Sequence, residues 1–401
     1  MSELNNAMIQ LAKRIKQESN AIAPYLQESF VYLHQNPELS FQEFQTTDFI
    51  KRELTSFGIT LQDIDSKVGV VGVLKGKKEG PCVALRADMD ALPIQEESSC
   101  PFPSKKQGIF HGCGHDAHTV ALLGAAKILS QMKEDIPGTV KFIFQPAEEG
   151  AGGAEYFAQK GCMDHPKVDA IFGLHNAPTV ASQKLGLKVG GIMAAVHKFT
   201  VTLTGRGGHG AIPESNIDPI VAAAAIIQSL QTITSRNIPP SKASVVSICS
   251  IHAGDGLTFN VNPQTATFCG TCRCYSPEME TLIQKRFYDI VEHISSAYQV
   301  SPDIQYQVLH SAVLNNEELY KTAVLVAEAL KIPYECPIPS TAGDDFSAFS
   351  DYAPSYFYWL GNYHQEKDTV YPLHSPKFKI DTDTLSLGAS VYAMSTMMYL
   401  M

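Results

Sequence analysis

The sequence predicts an α/β protein: a mixed-sheet domain interrupted by a small ferredoxin-like β-α-β-β-α-β insertion. Two observations carry this. In the first half, short apolar runs alternate with helical stretches, and apolar runs of that kind form strands of a largely buried sheet. In the middle of the chain the order changes to strand, helix, two strands, helix, strand, the pattern of a four-stranded sheet carrying two helices.

Taken in order, Gln27–Leu33 is predicted to be helical, and Ser40–Phe57 to be an amphipathic helix ending at Gly58. Strands are expected at Val68–Lys75, Cys82–Ala87, Thr139–Phe144 and Ala170–Leu174, with helices at Ala117–Met132 and from Glu155 to Lys160. In the insertion, Lys198–Thr204 alternates like a strand. Asp218–Ile233 is a helix with Pro219 at its first position. Ala243–Ile251 and Thr265–Arg273 are strands, Ser276–Tyr298 is a helix with Pro277 near its start, and Ile304–Leu309 is the last strand. A helix at Asn316–Leu330, a strand at Ser355–Leu360 and a final amphipathic helix at Leu385–Leu400 then complete the first sheet. The domains are therefore 1–189 with 311–401, and 190–310.

Bulk properties agree. A chain of 401 residues is long for one core. With 44% hydrophobic and 18% charged residues it is globular rather than disordered. A net charge of -10 makes a long basic surface, and hence a nucleic-acid partner, a poor expectation. Met1–Asn20 carries Lys13, Arg14 and Lys16 without a continuous apolar stretch, so it does not read as a signal peptide. No apolar run approaches the ~18 residues of a membrane span. Nine irregularly spaced cysteines suit reduced thiols in a cytoplasmic protein better than a disulfide framework.

Five segments place potential metal-binding residues beside predicted apolar elements. They are Arg86-Ala-Asp-Met-Asp90, His111-Gly-Cys-Gly-His-Asp-Ala-His118, Gln145-Pro-Ala-Glu-Glu149, Gly173-Leu-His175 and Tyr371-Pro-Leu-His374. The second precedes a helix, and the other four are expected to follow strands. Ligands of open α/β sheets bind outside the carboxyl ends of strands, and Cys, His and Glu converging there form a hydrolytic metal site. Gly112 and Gly114 are expected to let the backbone turn so that Cys113 and His115 face one point.

These motifs resemble the metal-dependent amidohydrolase family that includes aminoacylases, hippurate hydrolase and the indole-acetyl-amino-acid hydrolases. The similarity rests on Arg86-Ala-Asp-Met-Asp-Ala-Leu-Pro93, His111-Gly-Cys-Gly-His-Asp116, Gln145-Pro-Ala-Glu-Glu-Gly150, Gly173-Leu-His175 and Leu373-His374-Ser-Pro-Lys-Phe378. Gly205-Arg-Gly-Gly-His209 and Phe259-Asn-Val-Asn-Pro263 match too, and the likeness runs from about His34 to the C-terminus.

The resemblance implies a di-metal hydrolase domain with a lid or dimerisation insertion, cleaving the amide bond of N-acyl-L-amino acids. It puts two divalent ions on Cys113, His115, Glu149, His175 and His374, and makes Glu148 the general base. It further implies that His209 reaches the partner subunit's site in a homodimer to stabilise the oxyanion. Asn260 and Arg273 would hold the substrate carboxylate, and Asp90 would orient a ligand. A hinge near residues 190 and 310 would close the two domains over substrate.

The chemistry is consistent with these roles. A water held by such ions can ionise near pH ~7, and a carboxylate outside the coordination sphere can shuttle its proton. Glu148 and Glu149 point to opposite sides on an extended backbone, so their division of labour needs a bent loop. A thiolate ligand favours zinc, while the His and carboxylate ligands also accept manganese or cobalt.

Other features read as packing. Cys272 and Cys274 share one strand face, and neither they nor Cys269 have a second pair of ligands nearby. Glu155 stands where Gly-x-Gly-x-x-Gly needs its last glycine, which removes a dinucleotide reading of Gly150, Gly152 and Gly153. His118 is expected to pack or to support a ligand, and Asp344 stands where the family carries Glu. No Pro-Cys-x-x-Cys follows a His-x-Glu, which excludes a zinc nucleobase deaminase. A dipeptidase or carboxypeptidase of the same fold, and a binding protein without catalysis, stay open as alternatives.

Overall fold

The computed structural model describes residues 6–150 and 152–401. The first five residues of the N-terminal stretch, and of the 1–189 segment, lie outside them. The chain divides into two compact units. One comprises Met1–Gly190, Leu314–Ile338 and Asp345–Met401; the other comprises Gly191–Val313 and Pro339–Asp344.

The first unit is built on an eight-stranded mixed sheet. Its strands run in the order Thr60–Leu61, Val70–Lys75, Pro137–Gln145, Lys78–Asp88, Ala170–Ala181, Ser355–Tyr363, Leu185–Gly186, Tyr334–Glu335. The central four, from Pro137–Gln145 to Ser355–Tyr363, are mutually parallel, and Val70–Lys75 is antiparallel to its neighbour. The central strands are buried along most of their length because helices cover them, which explains their largely apolar runs.

Two helices form the centre of that cover. His115–Gln131 and Thr384–Leu400 bury nearly every residue. The expectation of an amphipathic C-terminal helix is thus corrected. Ser390, Ser395 and Thr396 are polar but buried, because their hydroxyls bond the carbonyls of Ser386, Val391 and Tyr392. Gly124 lets the two helices meet, since a Cβ there would lie 2.7 Å from Ala389 Cβ and 2.8 Å from Leu26 Cδ2.

Other boundaries differ from expectation for identifiable reasons. The helix predicted from Ser40 begins at Phe44, because Glu43 leaves the helical conformation and turns its carboxylate inward to accept the Ala147 N–H at 2.8 Å. A helix at Asn6–Ala21 was not anticipated, although buried Ala12, Ile15 and Ser19 carry a helical spacing.

The second unit has a four-stranded antiparallel sheet in the order Val245–Ala253, Thr265–Cys274, Ala195–Thr204, Ser301–His310. Its helices are Pro219–Thr232, capped by the Asp218 carboxylate, and Pro277–Ala297, capped by Ser276. This is the β-α-β-β-α-β order read from the sequence. Along Thr265–Cys274 alternate residues are buried, Cys272 and Cys274 among them, so both are core residues. All nine cysteines are free, and no helix among the described residues is long and apolar enough to cross a membrane.

Replacing Gly124 by valine forces the two central helices apart. The expected result is a loss of about 1–3 kcal/mol, read as a lower thermal midpoint; an unchanged midpoint contradicts this packing.

Candidate metal centre and active site

The functional side chains of the first unit gather where its parallel strands end. Asp88 closes the Lys78–Asp88 strand and Asp90 follows it. Cys113 lies in the turn before the His115–Gln131 helix, whose first residue is His115. Gly114 between them is left-handed at φ +84, and a Cβ there would lie 2.7 Å from Asn176 Nδ2. Gly112 has no positive φ, so the tight turn depends on Gly114 alone. His175 lies within the Ala170–Ala181 strand rather than after it. His374 lies in a loop well beyond the Ser355–Tyr363 strand. The expectation that His374 follows a strand directly is therefore corrected: its placement comes from the loop, where its N–H bonds Gly112 O at 2.8 Å and its φ is +63.

Donor atoms of Cys113, His115 and His175 lie within 4.8 Å of one another, as do those of Cys113, Glu149 and His374, and those of His115, Glu148 and Glu149. Cys113 Sγ is 3.4 Å from His175 Nε2, and His374 Nε2 is 3.3 Å from Glu149 Oε1. His115 Nε2 lies 3.9 Å from both Glu148 Oε2 and Glu149 Oε1. All five expected metal ligands and Glu148 thus come together.

Each central imidazole is oriented from behind. His175 Nδ1 donates to the Asn176 carbonyl at 2.9 Å, and His115 Nδ1 to Asp90 Oδ1 at 3.2 Å. Both present Nε2 to the cluster, the arrangement by which outer partners fix a metal-binding tautomer. His118 is spent differently. Its Nε2 accepts the Asn176 N–H at 3.0 Å while its Nδ1 donates to Asp88 Oδ1 at 2.6 Å, so both nitrogens are occupied within the protein.

The Glu148–Glu149 segment is a turn rather than an extended strand. Ala147 enters it at φ +58, a conformation that costs a non-glycine residue about 1–2 kcal/mol. Three tethers hold it. Glu43 takes the Ala147 N–H, and Asp90 takes the N–H of Glu148 at 3.1 Å and of Glu149 at 3.0 Å. The turn brings both carboxylates to His115 from one side.

Electrostatics follow from burial and charge. Burial pushes the Cys113 thiol well above its usual range and the His175 imidazole well below. Burial also favours neutral His115, but Asp88, the Cys113 sulfur and the Asp90 hydrogen bond outweigh it and raise its pKa well above normal. For Asp88, burial is outweighed by His115, Arg86 and His118, so it stays ionised. Glu43 is driven up to about 8 by burial and by the Asp90 charge.

The donor set fits divalent ions. His115 Nε2 and Glu149 Oε1 are buried without a hydrogen-bond partner, and an unpartnered buried polar atom is costly unless something else satisfies it. Thiol, imidazole and carboxylate donors together suit a borderline-soft ion.

Two further residues belong to the framework. Asp88 lies 3.8 Å from His115 Nε2 and pairs with Arg86 at 2.9 Å. Asp345 accepts from Arg86, Gln145 and the Ala154 N–H, joining three distant segments. Alternation along Arg86, Asp88 and Asp90 was the available signal for Asp88, since every second strand residue shares a face; for Asp345 the signal was its place beside Asp344 in a family-like Asp-Phe-Ser segment.

The remaining expected site residues lie in the second unit. His209 pairs with Val261 in a short antiparallel ladder, and its Nδ1 accepts the Ala211 N–H at 3.1 Å. Asn260 is next to it, taking the Gly210 N–H on its carbonyl at 2.8 Å. Arg273 sits on the Thr265–Cys274 strand with its guanidinium on Thr271 Oγ1 and the Cys272 carbonyl.

Residues 84–397 match the family described as Peptidase family M20/M25/M40, and the chain belongs to it. It is 38% identical over 383 residues to an N-acetyl-L-cysteine deacetylase of Bacillus subtilis, covering 94% of this chain and 90% of that one. With a hippurate hydrolase of Campylobacter jejuni it shares 37% identity over 371 residues, covering 92% and 94%. Among solved structures it resembles a Bacillus subtilis dinuclear metal-binding peptidase of the M20 family. The TM-score is 0.85 at 34% identity, with 95% and 99% of the two chains covered.

Asp90 receives four hydrogen bonds, from His115, Ser40, Glu148 and Glu149. Asp90→Asn is expected to weaken metal affinity about 10- to 100-fold, the usual cost of losing a ligand's outer partner. Competition with a coloured chelator measures this, and equal affinity in the two proteins contradicts the role.

Proposed function

We propose that the chain is a metal-dependent amidohydrolase that splits N-acyl-L-amino acids into a carboxylate and a free amino acid. The observation that carries this is the convergence of Cys113, His115, Glu149, His175 and His374 with a second carboxylate, Glu148, at the same imidazole. Two of the relatives named above, the N-acetyl-L-cysteine deacetylase and the hippurate hydrolase, carry names of N-acyl amino acid hydrolases, which supports the substrate class.

Cys113, His115, Glu149, His175 and His374 would hold two divalent ions, zinc or manganese, with cobalt also compatible. Such ions supply Lewis-acid charge that acidifies a water and polarises the scissile carbonyl. Glu148 accepts the proton of the attacking water on its carboxylate and delivers it to the amide nitrogen, which leaves only once protonated. Asp90 holds the turn that gives Glu148 and Glu149 their separate tasks. His209 stabilises the tetrahedral oxyanion from a second copy of the chain in a homodimer, and Asn260 and Arg273 take the substrate carboxylate.

Three experiments test this. Protein stripped of metal and reloaded with zinc, manganese or cobalt is assayed for amino acid released from N-acetyl-L-cysteine, hippurate, other N-acyl amino acids and dipeptides. Metal is expected to restore turnover on the acyl substrates. Glu148→Gln is expected to keep its metal and lose at least ~100-fold in rate. Silence on every acyl substrate with turnover of dipeptides would shift the reading to a peptidase. His209→Ala is expected to lower kcat by about 100- to 1,000-fold, as for loss of one oxyanion donor; a kcat within twofold of wild type removes His209 from the mechanism.

A further inference from the structure

A second group of metal-type donors lies outside the cluster described above. His34 stands near the end of the Ala23–Gln35 helix, and Glu96 and Cys100 lie in the loop after the Leu92–Phe110 bridge begins. One donor atom from each of the three lies within 4.8 Å of the others. His34 Nε2 is 3.3 Å from Glu96 Oε1, and the Cys100 thiol is the third member of the group.

Three features make this more than a chance grouping. First, His34 Nδ1 bonds Asp116 Oδ2 at 2.7 Å, which fixes the ring and turns Nε2 toward Glu96 and Cys100. A carboxylate behind a histidine in this way is a hallmark of metal ligation. Second, the Glu96 carboxylate is pinned by Ser98 Oγ at 2.5 Å and the Ser104 N–H at 2.6 Å, while Phe30 and Phe102 pack on the His34 ring. The side chains of His34, Glu96 and Asp116 are only 6%, 2% and 1% exposed, so two carboxylates are enclosed with one imidazole. The imidazolium that Asp116 and Glu96 favour at His34 balances one of these charges, and the remaining buried anionic charge favours an added cation. Third, His34 and Cys100 both line a cavity of about 270 Å³, which gives an ion a way in. Lys367, on the same cavity, is neutralised by Asp381 at 2.6 Å and Asp383 at 2.5 Å.

The geometry points to a second metal site, in which His34, Glu96 and Cys100 bind one zinc-class ion. Imidazole, carboxylate and thiolate are the donors of a borderline-soft ion, and three protein ligands leave a fourth position for water from the cavity. Binding sends the His34 Nε2 proton and the Cys100 thiol proton to solvent. The ion would tie the end of the Ala23–Gln35 helix to the Glu96–Ser104 loop, apart from the ions assigned to catalysis.

The test uses the full chain loaded with zinc and freed of loose metal by gel filtration, and it needs no substrate. Mass-spectrometric metal counting is expected to find one zinc per chain fewer in Cys100→Ala than in wild type. Alkylation of Cys100 by iodoacetamide, read by peptide mass spectrometry, is expected to be at least ~10-fold slower in the zinc-loaded wild type than in metal-free protein, because a coordinated thiolate is withheld from reaction. Exposed Cys249 and Cys336 serve as controls whose rates do not change. Equal zinc counts in the two proteins, or Cys100 alkylated as fast with zinc as without, overturns the proposal.

Discussion

The Asp90 carboxylate joins segments far apart in the chain. Its two oxygens take the Ser40 hydroxyl, the His115 imidazole and the backbone N–H groups of Glu148 and Glu149. An ionised carboxylate receiving several donors in a buried place makes strong, direction-specific bonds. Because the donors come from the loop between the Ala23–Gln35 and Phe44–Ser56 helices, the start of the His115–Gln131 helix and the glutamate turn, those three elements can be arranged only together. The orientation of His115 and the bend that separates Glu148 from Glu149 both depend on this contact.

Around it the sheet supplies rigidity. Parallel strands buried between helices deliver Asp88, Gln145 and His175 to one end of the first unit. The Arg86, Gln145 and Asp345 hydrogen bonds lock those ends against the segment following residue 344. Two of the non-glycine residues with positive φ serve the site: Ala147 and His374, and both are held by a hydrogen bond of their own N–H. Such strain persists only where the surroundings over-determine the conformation.

Much of this was legible in the sequence because it is local. Buried strands such as Lys78–Asp88 announce themselves as apolar runs, and the second unit's alternation along Thr265–Cys274 marks one buried face. Cys113 and His115 are neighbours in sequence, so their meeting needs only the turn at Gly114. What stayed hidden is non-local. Nothing in the sequence says that Glu43 bonds Ala147, 104 positions away, or that Asp345 reaches Arg86 across 259. The Thr384–Leu400 helix misled for a related reason. Its serines and threonine are polar residues that can be buried only because their hydroxyls bond their own helix.

The central claim is that Glu149 belongs to the ion-holding set while Glu148, its neighbour in the same turn, does not. Anomalous diffraction at the zinc edge from crystals of the loaded protein tests this most directly. The account predicts two peaks among Cys113, His115, Glu149, His175 and His374, with Glu149 in the coordination sphere and the Glu148 carboxylate outside it. A peak coordinated by Glu148, or one ion where two are expected, would contradict it.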